Sequence, residues 1–160
     1  MRSAVRGGGA LLAAVSLLFA GGSARAAAPG ADLAYHGSAT LRGGLVDVRF
    51  TPRNHGSAAV PDAAVRLRWS APLAARQPAL PPGCARIGAL EVVCRTGPIA
   101  ADGVGERIAL AVRLRERPGE TVLEVGTLWN GGAADRDRPD SRPDGRQRVL
   151  VLDTGDSYYF

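Results

Sequence analysis

The two histidines are the side chains of this chain best suited to acid–base chemistry, and neither lies in a catalytic pattern. We expect His36 to end the first strand and His55 to lie in a turn beside Gly56. A serine triad needs an imidazole beside a nucleophile, and the sequence contains no Gly-x-Ser-x-Gly elbow. The pattern predicts no catalytic residue and favours a non-enzymatic protein. The alternative is a glycosidase, whose two catalytic carboxylates are brought together by the fold and leave no motif in the sequence.

Cys84 and Cys94 are the only cysteines. In an exported chain such a pair predicts a disulfide. The bridge closes a short loop and should contribute about 2–3 kcal/mol of stability. The sequence has no second Cys/His pair at the spacing of zinc ligands, so we expect neither a metal nor a cofactor.

Charged residues form two further groups with candidate chemistry. The first is acidic and alternates with arginines, which favours a solvated loop over a calcium site, the lesser alternative. The second should project from outward strand faces, where arginines keep a sheet wet or, less favoured, contact anionic wall polymers. The acidic group is Asp135, Asp137, Asp140 and Asp144, and the basic group is Arg66, Arg68, Arg113 and Arg115.

The proline-rich segment at residues 71–83 is the most promising binding element. A stiff loop anchored by a disulfide loses little entropy when it binds a partner. The segment is either such a loop, with Arg66 and Arg68 expected nearby, or an inter-sheet connection kept straight by its prolines. The candidate binding residues are Gln77, Pro78, Ala79, Leu80 and Pro81.

The first 26 residues have the composition of a secretion signal. Arg2 and Arg6 precede an apolar run, and Ala24-Arg25-Ala26 is a small-x-small cleavage site. The mature chain then begins near Ala27 and contains no apolar run long enough to span a membrane. We expect a secreted, extracellular protein, with association with the cell wall as a further expectation.

Composition limits the partners of the mature chain. Its 17 arginines nearly balance 15 acidic residues, which is too small an excess to predict nucleic-acid binding. Lysine is absent and Ala, Gly, Pro and Arg are abundant, which is typical of a GC-rich bacterial genome. About 134 residues correspond to one domain.

The apolar residues of the mature chain recur at every second position, which predicts β-strands. This alternation is clear around Val46, Val65, Ile108 and Leu123, with turn residues between the runs. Leu90 to Cys94 and Val149 to Leu152 are nearly continuous apolar runs, which favours central or doubly covered strands. We predict an all-β fold, a β-sandwich of about seven strands over residues 27–152 with Trp69 as core anchor, followed by an aromatic C-terminal tail at 153–160.

The order of the motifs resembles the bacterial conserved-repeat domain of unknown function, an immunoglobulin-like β-sandwich of secreted and surface proteins. The resemblance covers residues 31–152, with Arg and Ala replacing the Thr-rich strands of that family. It implies a fold and an extracellular setting but no catalytic residue. The matching motifs are Ala31-Asp32-Leu33, Asn54-His55-Gly56, Leu80-Pro81-Pro82-Gly83, the cysteine pair on a hairpin, and the turn Ala101-Asp102-Gly103.

These observations predict a secreted non-enzymatic structural or binding module at the cell surface. Its partner would be an extracellular protein or a cell-wall polymer, recognised by surface complementarity. The alternative is a secreted protease inhibitor that presents residues 77–81 to an enzyme cleft.

Overall fold

The computed structural model describes residues 30–129 and 146–160. The predicted signal peptide and the aspartate–arginine segment at 135–144 therefore lie outside the described residues. The described part is all-β, and none of its residues form a helix that could span a membrane. Its nine strands are β1 (Leu33–Arg42), β2 (Leu45–Asn54), β3 (Ala64–Trp69), β4 (Cys84–Arg86), β5 (Glu91–Arg95), β6 (Ile108–Arg113), β7 (Glu120–Trp129), β8 (Gln147–Leu152) and β9 (Tyr158–Tyr159).

The strands form two antiparallel sheets, as a β-sandwich requires. One sheet has four strands in the order β6-β2-β1-β9, and the other has five in the order β4-β5-β3-β7-β8. Every second side chain of a strand points to the same face of its sheet. In β2 the buried side of this alternation is Val46, Val48 and Phe50, which confirms the period-two prediction for this segment.

The core lies between the inner faces of the two sheets. Trp69, at the end of the central strand β3, is fully buried, as predicted for the core anchor. Tyr35 and Phe50 meet edge to face on the opposite sheet, with ring centroids 6.0 Å apart. Aromatic side chains thus occupy both layers of the core.

Two expectations about strands are wrong. Nine strands are present among the described residues rather than about seven, because the three-residue β4 pairs with β5 and the two-residue β9 pairs with β1. The Val149 to Leu152 run is not a central strand but the edge strand β8. Its alternation is hidden because the outward positions, Leu150 and Leu152, are apolar although 49% and 36% exposed.

The predicted disulfide is confirmed. Cys84 and Cys94 are bonded and lie directly opposite each other on β4 and β5, with their Cα atoms 4.0 Å apart. The bridge therefore joins neighbouring strands of one hairpin, not the two sheets. It also fixes the C-terminal end of the proline-rich segment to the five-stranded sheet.

Replacing both cysteines with alanine should lower the free energy of unfolding by about 2–3 kcal/mol, because the unfolded chain gains the freedom of the short loop. Urea unfolding of the double variant measures this loss. The wild-type protein treated with reductant is the matched control and should lose the same amount. An unchanged urea midpoint in both samples contradicts the prediction.

A buried tyrosine connects the two sheets. The hydroxyl groups of Tyr35 on β1 and Thr127 on β7 share a hydrogen bond of 2.6 Å. Burial raises the pKa of Tyr35 from 10.0 to about 12, against a smaller lowering effect of the bond to Thr127. The folded protein therefore holds the phenol proton more tightly than the unfolded chain does.

This pKa shift predicts that stability falls at alkaline pH. Below pH 10 the phenol is protonated in both states, and between pH 10 and 12 only the unfolded chain releases the proton, so the free energy of unfolding decreases as pH rises. Between pH 9 and pH 11 the wild type should lose about 1 kcal/mol that Tyr35→Phe does not lose. Urea unfolding of both proteins at the two pH values measures the difference, and equal losses contradict it.

Candidate binding groove on the four-stranded sheet

The outer face of the four-stranded sheet carries small and polar side chains. In the pairing register, one row across it consists of Ala109 on β6, Arg49 on β2, Ser38 on β1 and Tyr159 on β9. Because the alternate residues of these strands point into the core, the side chains of this row face away from it. The row gives the face a flat floor with an arginine near its centre.

The adjacent row adds two basic side chains. These are His36, which pairs with Thr51 of β2, and Arg107. Arg107 lies one residue before β6, and the β2–β6 register, continued by one residue, places Arg107 opposite Thr51. The two rows surround a depression of about 360 Å³. Its wall and floor include His36, Ser38, Arg49, Thr51, Arg107 and Tyr159.

A second depression of about 320 Å³ continues this surface toward the proline-rich segment. Its floor includes Asp47, Ala109 and Ala111, and residues 79–81 form its wall. Arg49 lines both depressions, so they form one elongated surface. We call the two together the sheet-face groove.

The Gln77 side chain holds the proline-rich segment against the edge of β6 by forming two hydrogen bonds of the kind that a neighbouring strand would form. The Gln77 amide nitrogen donates to the carbonyl oxygen of Arg113 at 2.8 Å, and its amide oxygen accepts from the Arg113 N–H at 2.8 Å. The amide thereby occupies both backbone groups of one residue of the edge strand. Open edges of this kind otherwise attract other strands.

Further contacts fix the same segment. Leu80 packs against the main core, and the Arg86 guanidinium donates to the carbonyl oxygens of Ala74 and Leu73 at 2.7 and 3.3 Å. Among the five candidate binding residues only Ala79 is exposed, while Gln77, Pro78, Leu80 and Pro81 are half-buried. The segment is thus a fixed wall of the groove, and not a loop that projects into solvent.

The structure places Arg66 and Arg68 on a different sheet from the one that residues 77–81 contact. They are outward residues of β3, on the outer face of the other sheet. Arg68 forms a 2.9 Å ion pair with Glu91 and lies opposite Glu124, which in turn pairs with Arg148 at 3.6 Å. The charges of Glu91, Arg68, Glu124 and Arg148 compensate one another across four strands, which supports the interpretation of Arg68 as part of a solvated sheet face.

The basic residues of the groove differ from Arg68 in this respect, as does Arg66. Within residues 30–129 and 146–160, Arg49, Arg107 and His36 form no ion pair. Asp47 is the acidic side chain of the groove, and it lies one row away from Arg49 on the side opposite Arg107. The part of the groove between Arg49 and Arg107 is therefore electropositive.

The two histidines lie in different surroundings, one on β1 and one in the turn after β2. His36 does not end its strand, because β1 continues to Arg42, and it faces the groove. His55 is exposed in the turn after β2, as expected. In the part of the chain that the structure describes, no three His, Cys, Asp or Glu side chains cluster as a metal site.

Sequence reasoning found the wall of this groove but not its floor. The alternation of β2 was a usable signal, because it places Asp47 and Arg49 outward once Val46, Val48 and Phe50 are taken as inward. No local signal joins them to Arg107 and Tyr159, which come from distant parts of the chain. No known protein family, curated protein or solved structure matches this chain, so its function has to be argued from this geometry.

Proposed function

We propose that this protein is a secreted, non-enzymatic binding module of the bacterial cell surface, and that it binds its partner in the sheet-face groove. The observation that supports this most is the rigid construction of the groove. One wall is fixed by the Gln77 amide, by the packing of Leu80 and by the disulfide at Cys84. A preformed wall loses little entropy on binding, so more of the contact energy appears as affinity.

The strand order supports an immunoglobulin-like sandwich. β2 lies between β1 and β6 in one sheet, and β7 lies between β3 and β8 in the other. This is the arrangement of strands B with A and E, and of F with C and G, in immunoglobulin-type domains. The buried Trp69 on β3 corresponds to the tryptophan on strand C, whereas the disulfide differs because it joins two strands of one sheet.

Export is supported by chemistry as well as by the signal-like first 26 residues. Disulfides persist in oxidising compartments and are rare in the bacterial cytoplasm. The bond at Cys84 and Cys94 is therefore suited to a protein that functions outside the cell. The position of the mature N-terminus, measured by mass spectrometry of the exported product, tests this part of the proposal.

The groove itself is tested by filling it. Ala109→Trp places a large ring on the floor of the groove, at an exposed position where the core is not disturbed. We expect the wild-type protein to be retained by isolated cell envelopes and the variant to be released. Arg66→Trp, on the outer face of the other sheet, is the matched control and should be retained. Equal retention of the wild type and the groove variant contradicts the proposal.

The protease-inhibitor alternative has less support. An inhibitory loop must enter an enzyme cleft, but Leu80 packs against the core and Gln77 is bonded to β6. Detaching both would sacrifice the rigidity that makes such loops effective. Assays against secreted serine proteases at micromolar concentration test the alternative directly, and we expect no inhibition.

A further inference from the structure

We infer that the ligand of the sheet-face groove is an acidic polysaccharide, a sugar polymer that bears carboxylate or phosphate groups. This inference rests on the proposed function and specifies its ligand. Three features of the groove support it: two arginines that form no ion pair among the described residues, one exposed aromatic ring, and hydroxyl groups on its floor.

The arginines supply the anion site. Arg49 and Arg107 occupy diagonal positions on the neighbouring strands. Two residues in such positions are about 7–8 Å apart. The guanidinium group is planar and binds a carboxylate or a phosphate through two parallel hydrogen bonds. Since the described residues provide no acidic partner for either arginine, both remain available to one anionic group or to two neighbouring groups.

Asp47 makes the two ends of the groove different in charge. Its carboxylate lies on the side of Arg49 toward residues 79–81, where the floor is otherwise formed by Ala109 and Ala111. A second anionic group would be repelled there, whereas an uncharged part of a ligand would fit. The groove therefore suits a ligand whose charges are spaced along it, with the anion beside Arg107.

Tyr159 supplies an aromatic surface at the end of the row. Its side chain is 78% exposed, although the adjoining backbone is fixed by two hydrogen bonds between Gly37 and Phe160, each of 3.0 Å. Its neighbours Tyr158 and Phe160 pack against the core. An exposed ring held on a rigid strand can stack against the C–H face of a sugar ring, while its hydroxyl group remains free to bond.

The side chains on the floor of the groove favour a polysaccharide over a peptide. Extended peptides usually bind by adding a strand to a free edge. At the Arg113 end of β6 this addition is blocked, because the backbone of Arg113 is bonded to Gln77 and Ala74. The floor presents hydroxyl groups of Ser38 and Thr51 and the imidazole of His36, which match the hydroxyl groups of a sugar.

Calorimetric titration of the full protein with defined polymers tests the inference. The probes are alginate oligosaccharides for carboxylates, phosphomannan for phosphates, neutral dextran, polyphosphate and polyglutamate. We expect one or both acidic polysaccharides to bind, with affinity falling at least about tenfold between 50 and 500 mM salt because the contacts are charged. Which of the two binds more tightly identifies the anionic group.

Variants separate the two parts of the site. Arg49→Ala combined with Arg107→Ala should weaken polysaccharide binding at least about tenfold, whereas Arg66→Ala, on the other sheet, should not change it. Tyr159→Ala should weaken binding of the polysaccharide about tenfold without changing that of polyphosphate, which has no ring to stack. All four sites are exposed or half-buried positions, and unfolding curves confirm that the variants fold.

Three results would overturn the inference: tighter binding of polyglutamate than of either acidic polysaccharide, equal binding of polyphosphate with no effect of Tyr159→Ala, or no binding of any acidic polysaccharide. These results are distinct from failure of the proposed function. If Ala109→Trp abolishes retention by envelopes but no acidic polysaccharide binds, the groove is a binding site for another ligand. If Ala109→Trp has no effect, both proposals fail.

Discussion

Replacing Asn54 with alanine should lower the free energy of unfolding by about 3–4 kcal/mol, because it removes a fully buried amide with four hydrogen bonds. The amide oxygen accepts from the N–H groups of Asp32 and Gly56 at 3.1 and 2.9 Å. The amide nitrogen donates to the carbonyl oxygens of Ala58 and Ala100 at 2.7 and 3.1 Å. Alanine leaves these four backbone groups without their partner.

Urea unfolding of Asn54→Ala measures the loss, and His55→Ala is the matched control. His55 is the next residue in the chain, but its side chain is exposed and only its backbone N–H is bonded, to Asp32. The control should therefore change stability by less than about 0.5 kcal/mol. A loss below about 1 kcal/mol for Asn54→Ala would show that water replaces the amide at little cost.

The same amide explains a motif that the sequence displayed without a reason. Asn54 and Gly56 belong to one turn, which closes over the segment that leads into β1. A Cβ atom on Gly56 would lie 2.2 Å from the carbonyl oxygen of Gly30, so only glycine allows this close approach. The Asn-x-Gly pattern thus reflects a packing requirement, and it carries information about fold rather than about a ligand.

Local patterns predicted those parts of the fold that depend on neighbouring residues. The alternation in β2, β3 and β6, the burial of Trp69 and the disulfide are confirmed. The edge position of β8 was missed because its outward residues are leucines, so the period-two signal is lost. β9 was missed because two residues are too few to show any period.

The groove was only partly predictable, for a related reason. Residues 77–81 stood out through their two prolines and their nearness to Cys84. The importance of Gln77, however, depends on the distant Arg113 to which it is bonded. Likewise Ser38 meets Tyr159 only because the end of the described chain returns to β1. Pairings across such sequence distances are set by the whole fold, and no short pattern contains them.

The other large effect is expected at the opposite layer of the core. Trp69→Ala should lower the free energy of unfolding by about 3–5 kcal/mol, because the fully buried indole leaves a cavity that the two sheets cannot close. Among the described residues the indole N–H has no hydrogen-bond partner. Trp69→Phe therefore loses volume but no hydrogen bond, and it should cost less than half as much as the alanine variant.

The second tryptophan provides the control and the probe. Trp129 is 48% exposed at the end of β7, so Trp129→Ala should cost much less than Trp69→Ala. In a Trp129→Phe background all indole fluorescence comes from Trp69, and its emission should shift to longer wavelength when urea exposes the ring. Equal losses for Trp69→Ala and Trp129→Ala would contradict the prediction. They would mean that the sandwich is held together by its many aliphatic contacts and not by the single large side chain on β3.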